Sequence, residues 1–181
     1  MDWLESIRLQ EADSERPKYI AQMGYVKISD RLLDALLPLC PLVEVGSGTG
    51  ALAQALRTRG GRVVATDNWS SDTAGENWHG SVGRVVCAEA SRAVRLMCQT
   101  RANLLCAWPS YDEDWCTRAV ELLPEGRLFA LVSEGRGGCI ADDSLFDLLE
   151  SDFELVEEIE IDTFPGLWDR LSIHRRRTSP C

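Results

Sequence analysis

The sequence has no CxxC pair among its seven cysteines, and its two histidines, His79 and His174, stand beside no cysteine at ligand spacing. A metal site needs closely spaced ligands, so none is expected. The cysteines at 40, 87, 98, 106, 116, 139 and 181 read as free thiols, with Cys87 and Cys106 buried in strand-like apolar runs. No apolar run reaches membrane-spanning length, and the opening "MDWLESIRLQEADSERPK" is charged where a secretory leader would be apolar. A cytoplasmic location away from membranes is the expectation. There is no internal repeat, low-complexity stretch or linker, so the 181 residues are expected to build one domain over 29–176. An N-terminal extension over 1–28, serving as a lid, and a short tail over 177–181 flank it.

Positive charge is scarce in the C-terminal half. Between Asp112 and Asp169 seventeen acids face three arginines, a net of −14 within a chain whose total is −10. That field opposes a nucleic-acid partner, and the basic ending "HRRRTSPC" reads as a solvated tail. A small-molecule or protein partner is expected instead.

The apolar period switches repeatedly between strand-like and helix-like, as in an alternating α/β sheet. "SDRLLDALLPLC" reads as a helix capped by Ser29 or Asp30 and stopped before Pro41. Strand 42–46, helix 50–59, strand 62–66, a polar loop 68–80, strand 83–87, helix 89–99 and strand 103–107 follow. After "WPSYDED" comes helix 114–123, then the strand "GRLFALVS" and the helix "DDSLFDLLES", capped by Asp142 or Asp143. "FELVEEIEI" alternates like a strand with one wet face, and "DRLSIHR" returns after a Pro-Gly turn. Five runs suit a parallel sheet and the last two an antiparallel pair.

The stretch "LVEVGSGTGALAQAL" places Gly46, Gly48 and Gly50 between the first strand and its helix. Such a turn lets backbone approach a ligand at the carboxyl end of a parallel strand, beside the unpaired N–H groups of a helix start. "GSGTGA" satisfies the loose GxGxxA dinucleotide pattern, with Asp67 about twenty residues on to hold a ribose. Glu44, inside the strand two residues before the first glycine, suits the cationic end of S-adenosylmethionine. A nicotinamide-dependent oxidoreductase and an S-adenosylmethionine enzyme thus share this turn.

"VEVGSGTG" together with "VVATD" resembles the class I S-adenosylmethionine-dependent methyltransferases. That resemblance implies a Rossmann-like seven-stranded sheet, five strands parallel and a terminal antiparallel hairpin, with helices on both faces. It implies that Glu44 supports the amino-acid end of the cofactor, that Gly46, Ser47, Gly48 and Gly50 form the loop beneath it, and that Asp67 accepts the ribose. Asn68 follows that acid, Ala88 and Glu89 fall where the family contacts adenine, and Tyr25 and Trp108 complete the expected cofactor set. A narrower resemblance rests on "YVKIS", "ENWHG", "LLCAWPSYDED", "SEGRGGCIADD" and "FPGLWDRLSIHRR". These are similar to a group of small methyltransferase-like proteins carrying NxYHG, CWPPY, GEGxGGCTxDD and WPGxxDRL in that order. This chain departs from those motifs at Trp78, Ser110, Ile140 and Phe164.

Methyl transfer from a sulfonium is an in-line displacement, so the protein aligns the acceptor, excludes water and, where needed, takes a proton. "AWPSY" stands where amine methyltransferases carry Asp/Asn-Pro-Pro-Tyr/Phe, with Ala107 in place of the acid or amide. Pro109 would set the backbone direction and Tyr111 would stack on a flat or cationic acceptor; these residues also suit plugging the sheet edge. Glu134 is expected on the same rim. Asn77 and His79 in "NWHG" suit either a hydrogen-bonded turn or base chemistry. Pro109, Tyr111, Glu134 and His79 are the catalytic candidates for transfer to a small molecule or protein. A non-catalytic module that keeps the sheet as a partner subunit or cofactor sensor is the other alternative.

Overall fold

The run Leu42–Val45 is buried at every position, as befits a strand with neighbours on both edges and layers on both faces. The computed structural model describes residues 15–70 and 81–178. Its strands are β1 (Leu42–Val45), β2 (Val63–Asp67), β3 (Val85–Cys87), β4 (Asn103–Ala107), β5 (Leu128–Ser133), β6 (Phe153–Glu160) and β7 (Arg170–Arg176). Its helices are α1 (15–23), α2 (Asp30–Leu36), α3 (Ala51–Thr58), α4 (Ala90–Met97), α5 (Trp115–Val120) and α6 (Asp143–Asp152).

The strands form one sheet in the order β3-β2-β1-β4-β5-β7-β6. The first five are parallel, and β7 inserts antiparallel between β5 and β6. This is the Rossmann-like seven-stranded sheet, five strands parallel and a terminal antiparallel hairpin, that the resemblance implies and with which the alternating periods agree. The chain reverses its winding direction between β1 and β4, and such a switch point opens a crevice at the carboxyl ends of the strands.

Alternation along β1 sends Val43 and Val45 into a core with α4, α5 and α6, and Leu42 into a second core with α2 and α3. Glu44 shares the parity of Leu42. Ser29 caps α2 by accepting from the Leu32 amide at 3.3 Å. That helix ends at Leu36, and a 3-10 turn over Leu37–Leu39 replaces its expected last turn. Pro38 has no amide hydrogen to continue the α-helical ladder.

The expected one-sided wetness of the penultimate strand is not observed. β6 is exposed over most of its length, with Leu155 and Val156 both exposed and a bulge between Leu155 and Glu157. An edge strand with a bulge carries no strict alternation. For the same reason Cys87, expected inside, is exposed on the opposite edge strand β3, while Cys106 on the interior strand β4 is buried. Among the described residues no helix is long and apolar enough to cross a membrane.

Candidate active site

Three glycines with positive φ turn the chain from β1 into α3: Gly46 at 65°, Gly48 at 50° and Gly50 at 75°. The loop is fastened to β2. The Ser47 amide and hydroxyl both donate to the Thr66 carbonyl at 3.1 Å, and the Gly48 amide donates to Asp67 Oδ2 at 2.7 Å. Asp67 Oδ1 accepts the Trp69 amide at 2.6 Å, and the Trp69 indole returns to donate to the Gly48 carbonyl at 3.3 Å. Each Asp67 oxygen holds one backbone N–H and retains acceptor capacity for a hydroxyl.

Over this loop lies a cleft of about 800 Å³ at the carboxyl ends of the strands, within the range of small-molecule sites. Glu44, Gly46, Ser47, Gly48, Asp67 and Asn68 line it, together with Ala88, Glu89 and Trp108. Tyr25, in the N-terminal segment, forms part of its wall. All the expected cofactor residues except Gly50 therefore meet in one place. A Cβ on Gly50 would meet Val85 Cγ2 at 2.7 Å and the Gly83 carbonyl at 2.8 Å, so that glycine makes room for the chain entering β3.

Glu44 is 3% exposed, and its Oε2 atom has no hydrogen-bond partner. Burial pushes its pKa up to about 8; Arg57 and the Ala53 amide pull against the rise and Asp67 adds to it. A buried carboxyl with an unmet acceptor is costly, so its presence in the floor of a cleft marks a place for a donor. The rest of the cleft is acidic, with Asp67, Glu89, Asp112, Glu113, Asp114 and Asp142 along it and, among the described residues that line it, Arg118 as the one basic side chain.

The catalytic candidates are not brought together in it. Pro109, Tyr111 and Glu134 do not line the cleft. The Pro109 carbonyl accepts the Ala141 amide at 3.1 Å and the Asp112 amide donates to the Ala141 carbonyl at 2.8 Å, tying the loop after β4 to the loop after β5. That pairing leaves Tyr111 67% exposed. Glu134 turns to accept the Cys139 amide at 3.4 Å and lines a separate groove beside α6 and β7. His79 and Asn77 lie outside the described residues. Asp142 occupies the N-cap position of α6 without capping it; its Oδ1 accepts the Thr117 hydroxyl at 2.6 Å instead.

Among the cleft residues that went unread in the sequence are two tryptophans. Trp69 follows Asp67 in "TDNW", and Trp115 opens α5 against the glycine loop, where a Cβ on Gly46 would come within 2.6 Å of its Cη2 atom. An aromatic two residues past a strand-ending acid was the available signal for the first. For the second, only tertiary contact reveals it.

No family model matches the sequence, and no curated protein does either. Solved structures match across most of the chain. Cofactor-bound Rv0187 from MTB is similar at 15% identity and a TM-score of 0.55, over 99% of this chain and 92% of that one. A putative tRNA (m1A22) methyltransferase of Streptococcus pneumoniae, in complex with S-adenosyl-L-methionine, is similar at 18% identity and a TM-score of 0.54, over 86% of this chain and 76% of that one. The 1,6-didemethyltoxoflavin-N1-methyltransferase of Burkholderia thailandensis, with S-adenosylhomocysteine bound, is similar at 16% identity and a TM-score of 0.52, over 93% of this chain and 90% of that one. At such identities the likeness is one of fold.

Proposed function

We propose that this chain is an S-adenosylmethionine-dependent methyltransferase acting on a small-molecule or protein acceptor. The observation that carries the reading is Glu44, a buried carboxyl with an unpartnered oxygen in a cleft built on the glycine loop. An ammonium group satisfies that oxygen and favours its ionised form. Neighbours of the same fold that hold S-adenosylmethionine or its demethylated product support the choice of ligand. The order of the motifs from "YVKIS" to "WDRL" supports placing the chain among the small methyltransferase-like proteins it resembles.

When bound, S-adenosylmethionine supplies the electrophilic methyl group. Glu44 would hold its amino end, the backbone from Gly46 to Gly48 would lie under the amino-acid portion, Asp67 would accept the ribose hydroxyls, and Ala88 and Glu89 would border the adenine. Trp69 and Trp115 brace the loop on which this depends. The contribution of these residues is alignment and exclusion of water, which suffices for an in-line displacement onto an acceptor that is already nucleophilic. Among the described residues no histidine lines the cleft.

The acid-rich lining disfavours the alternative use of the glycine turn, because a nicotinamide dinucleotide brings a diphosphate into a cleft where, among the described residues, seven acids face one arginine. The same field favours a neutral or cationic acceptor. Single-turnover transfer from labelled S-adenosylmethionine to metabolite and protein fractions tests the reading. Label arriving on an acceptor with wild type and not with Glu44→Gln supports it, and no transfer to any fraction by a protein that binds the cofactor would assign the chain to cofactor sensing.

A further inference from the structure

The N-terminal wall of the cleft and the end of β4 meet in an aromatic stack. Tyr25 lies against Trp108 with ring centroids 5.6 Å apart and planes 17° from parallel. Trp108 holds φ at 54°, a conformation a bulky residue keeps only when its surroundings impose it. Two bonds impose it here. The Trp108 amide donates to the Val132 carbonyl at 2.9 Å, and its indole Nε1 donates to Asp169 Oδ1 at 2.8 Å.

Asp169 is 4% exposed. Burial raises its pKa to about 6, with the Trp108 bond and Arg16 opposing the rise and Glu134 adding to it. The adjoining strand does not call on this acid: β7 begins at the next residue, where Arg170 pairs with Ser133 and Glu160 through the backbone. A buried acid costs stability relative to an apolar side chain, and Asp169 does not itself line the cleft. What it does in the fold is hold Trp108.

We propose that Asp169 is a positioning residue for the transfer reaction: by accepting from Trp108 it fixes the aromatic platform on which the N-terminal segment closes the cleft. The proposal rests on the methyltransferase reading of that cleft. The loop that ends at Asp169 also anchors the segment at its other end. Lys27 Nζ donates to the Thr163 carbonyl at 3.2 Å, and the Tyr19 ring meets Phe164 edge-on at 5.0 Å. The Tyr19 hydroxyl accepts the Ile28 amide at 2.8 Å and donates to the Val26 carbonyl at 3.3 Å, so α1 is tied to the stretch that follows it. From α1, the Arg16 guanidinium lies 5.9 Å over the Trp108 ring. One loop, 163–169, thus grips the segment directly at Tyr19 and Lys27 through Thr163 and Phe164, and through Trp108 by way of Asp169.

Asp169→Leu removes the acceptor, whereas Asp169→Asn keeps an acceptor oxygen and loses the charge. Hydrogen exchange of the ligand-free proteins and calorimetric affinity for S-adenosylhomocysteine are the two readouts. The expected result is exchange over 24–28 faster by about tenfold in Asp169→Leu, the value of one bond to a carboxylate, with affinity reduced to a similar extent. Exchange in β1 and β4 stays at the wild-type rate, and Asp169→Asn restores both readouts to within about twofold of wild type. Wild-type exchange over 24–28 in Asp169→Leu, or equal losses in the two variants, overturns the proposal. If Asp169→Leu does not fold, Trp108→Phe keeps a ring and removes the donor, and its exchange over 24–28 decides in the same way. Failure of wild type to bind S-adenosylhomocysteine would sink the methyltransferase reading, while the exchange result would still report whether Asp169 fixes the platform.

Discussion

The Gly48 amide donates to Asp67 Oδ2 at 2.7 Å, so the acid that ends the second strand fastens the loop that follows the first. Asp67 therefore shapes the floor of the cleft before any ligand arrives. With the Trp69 amide on its other oxygen, removing the carboxylate frees two backbone donors at once. Asp67→Ala is expected to weaken S-adenosylhomocysteine binding by at least tenfold and to lower stability by about 1–3 kcal/mol, since it leaves those donors without a partner. Calorimetry and chemical denaturation measure the two effects. Loss of affinity with unchanged stability would mean that Asp67 serves the ligand alone.

Glu44 predicts a dependence of stability on pH. Its folded pKa of about 8 stands above the ordinary 4.5. Between those values the folded chain holds a proton that the unfolded chain has released, so this group's contribution to stability falls as pH rises through that window. Glu44→Gln cannot lose a proton, and the difference in stability between variant and wild type should grow in the variant's favour from pH 5 to pH 8. A difference that is flat over this range would show that Glu44 is ionised in the ligand-free protein.

Gly46 and Gly50 are both left-handed but face different neighbours, and their variants should separate. Gly50→Ala puts a Cβ against Val85 and the Gly83 backbone, which cannot yield without moving a strand. The expected cost is about 1–3 kcal/mol. Gly46→Ala meets the Trp115 ring, so Trp115→Leu should recover part of its cost in a double-mutant cycle. Additive losses for Gly46 and Trp115 would show that the ring moves aside without penalty.

The order of elements was legible because each strand of the parallel set is a short apolar run and each helix carries its own period. Expectation and structure part where a local signal was outweighed: at Pro38, which ends α2 early, and at β6, whose edge position overrides alternation. That Glu44 and Asp67 face the cleft was legible because an acid inside or at the end of a buried strand has few other reasons to be there. Gly50 lies off the cleft against Val85 and the Gly83 backbone, and a glycine demanded by a backbone neighbour is written in the same letter as one demanded by a ligand. Tyr111 and Glu134 were placed on the rim by their loops, but the backbone pairing of Pro109 and Asp112 with Ala141, and the bond from the Cys139 amide, decide where those side chains go. Asp169 was unread because its partner Trp108 is distant in the chain.

In the proposed function, the unpartnered oxygen of Glu44 receives the ammonium of S-adenosylmethionine. Titration calorimetry with S-adenosylhomocysteine at pH 7, repeated in buffers of different ionisation enthalpy, tests it most directly. A carboxyl with a pKa of about 8 enters the titration protonated and leaves it ionised against the ligand, so wild type should bind with release of roughly one proton. Glu44→Gln should bind more weakly and release none. Binding of NAD in place of S-adenosylhomocysteine, or tight binding by wild type with no proton released, would contradict the account.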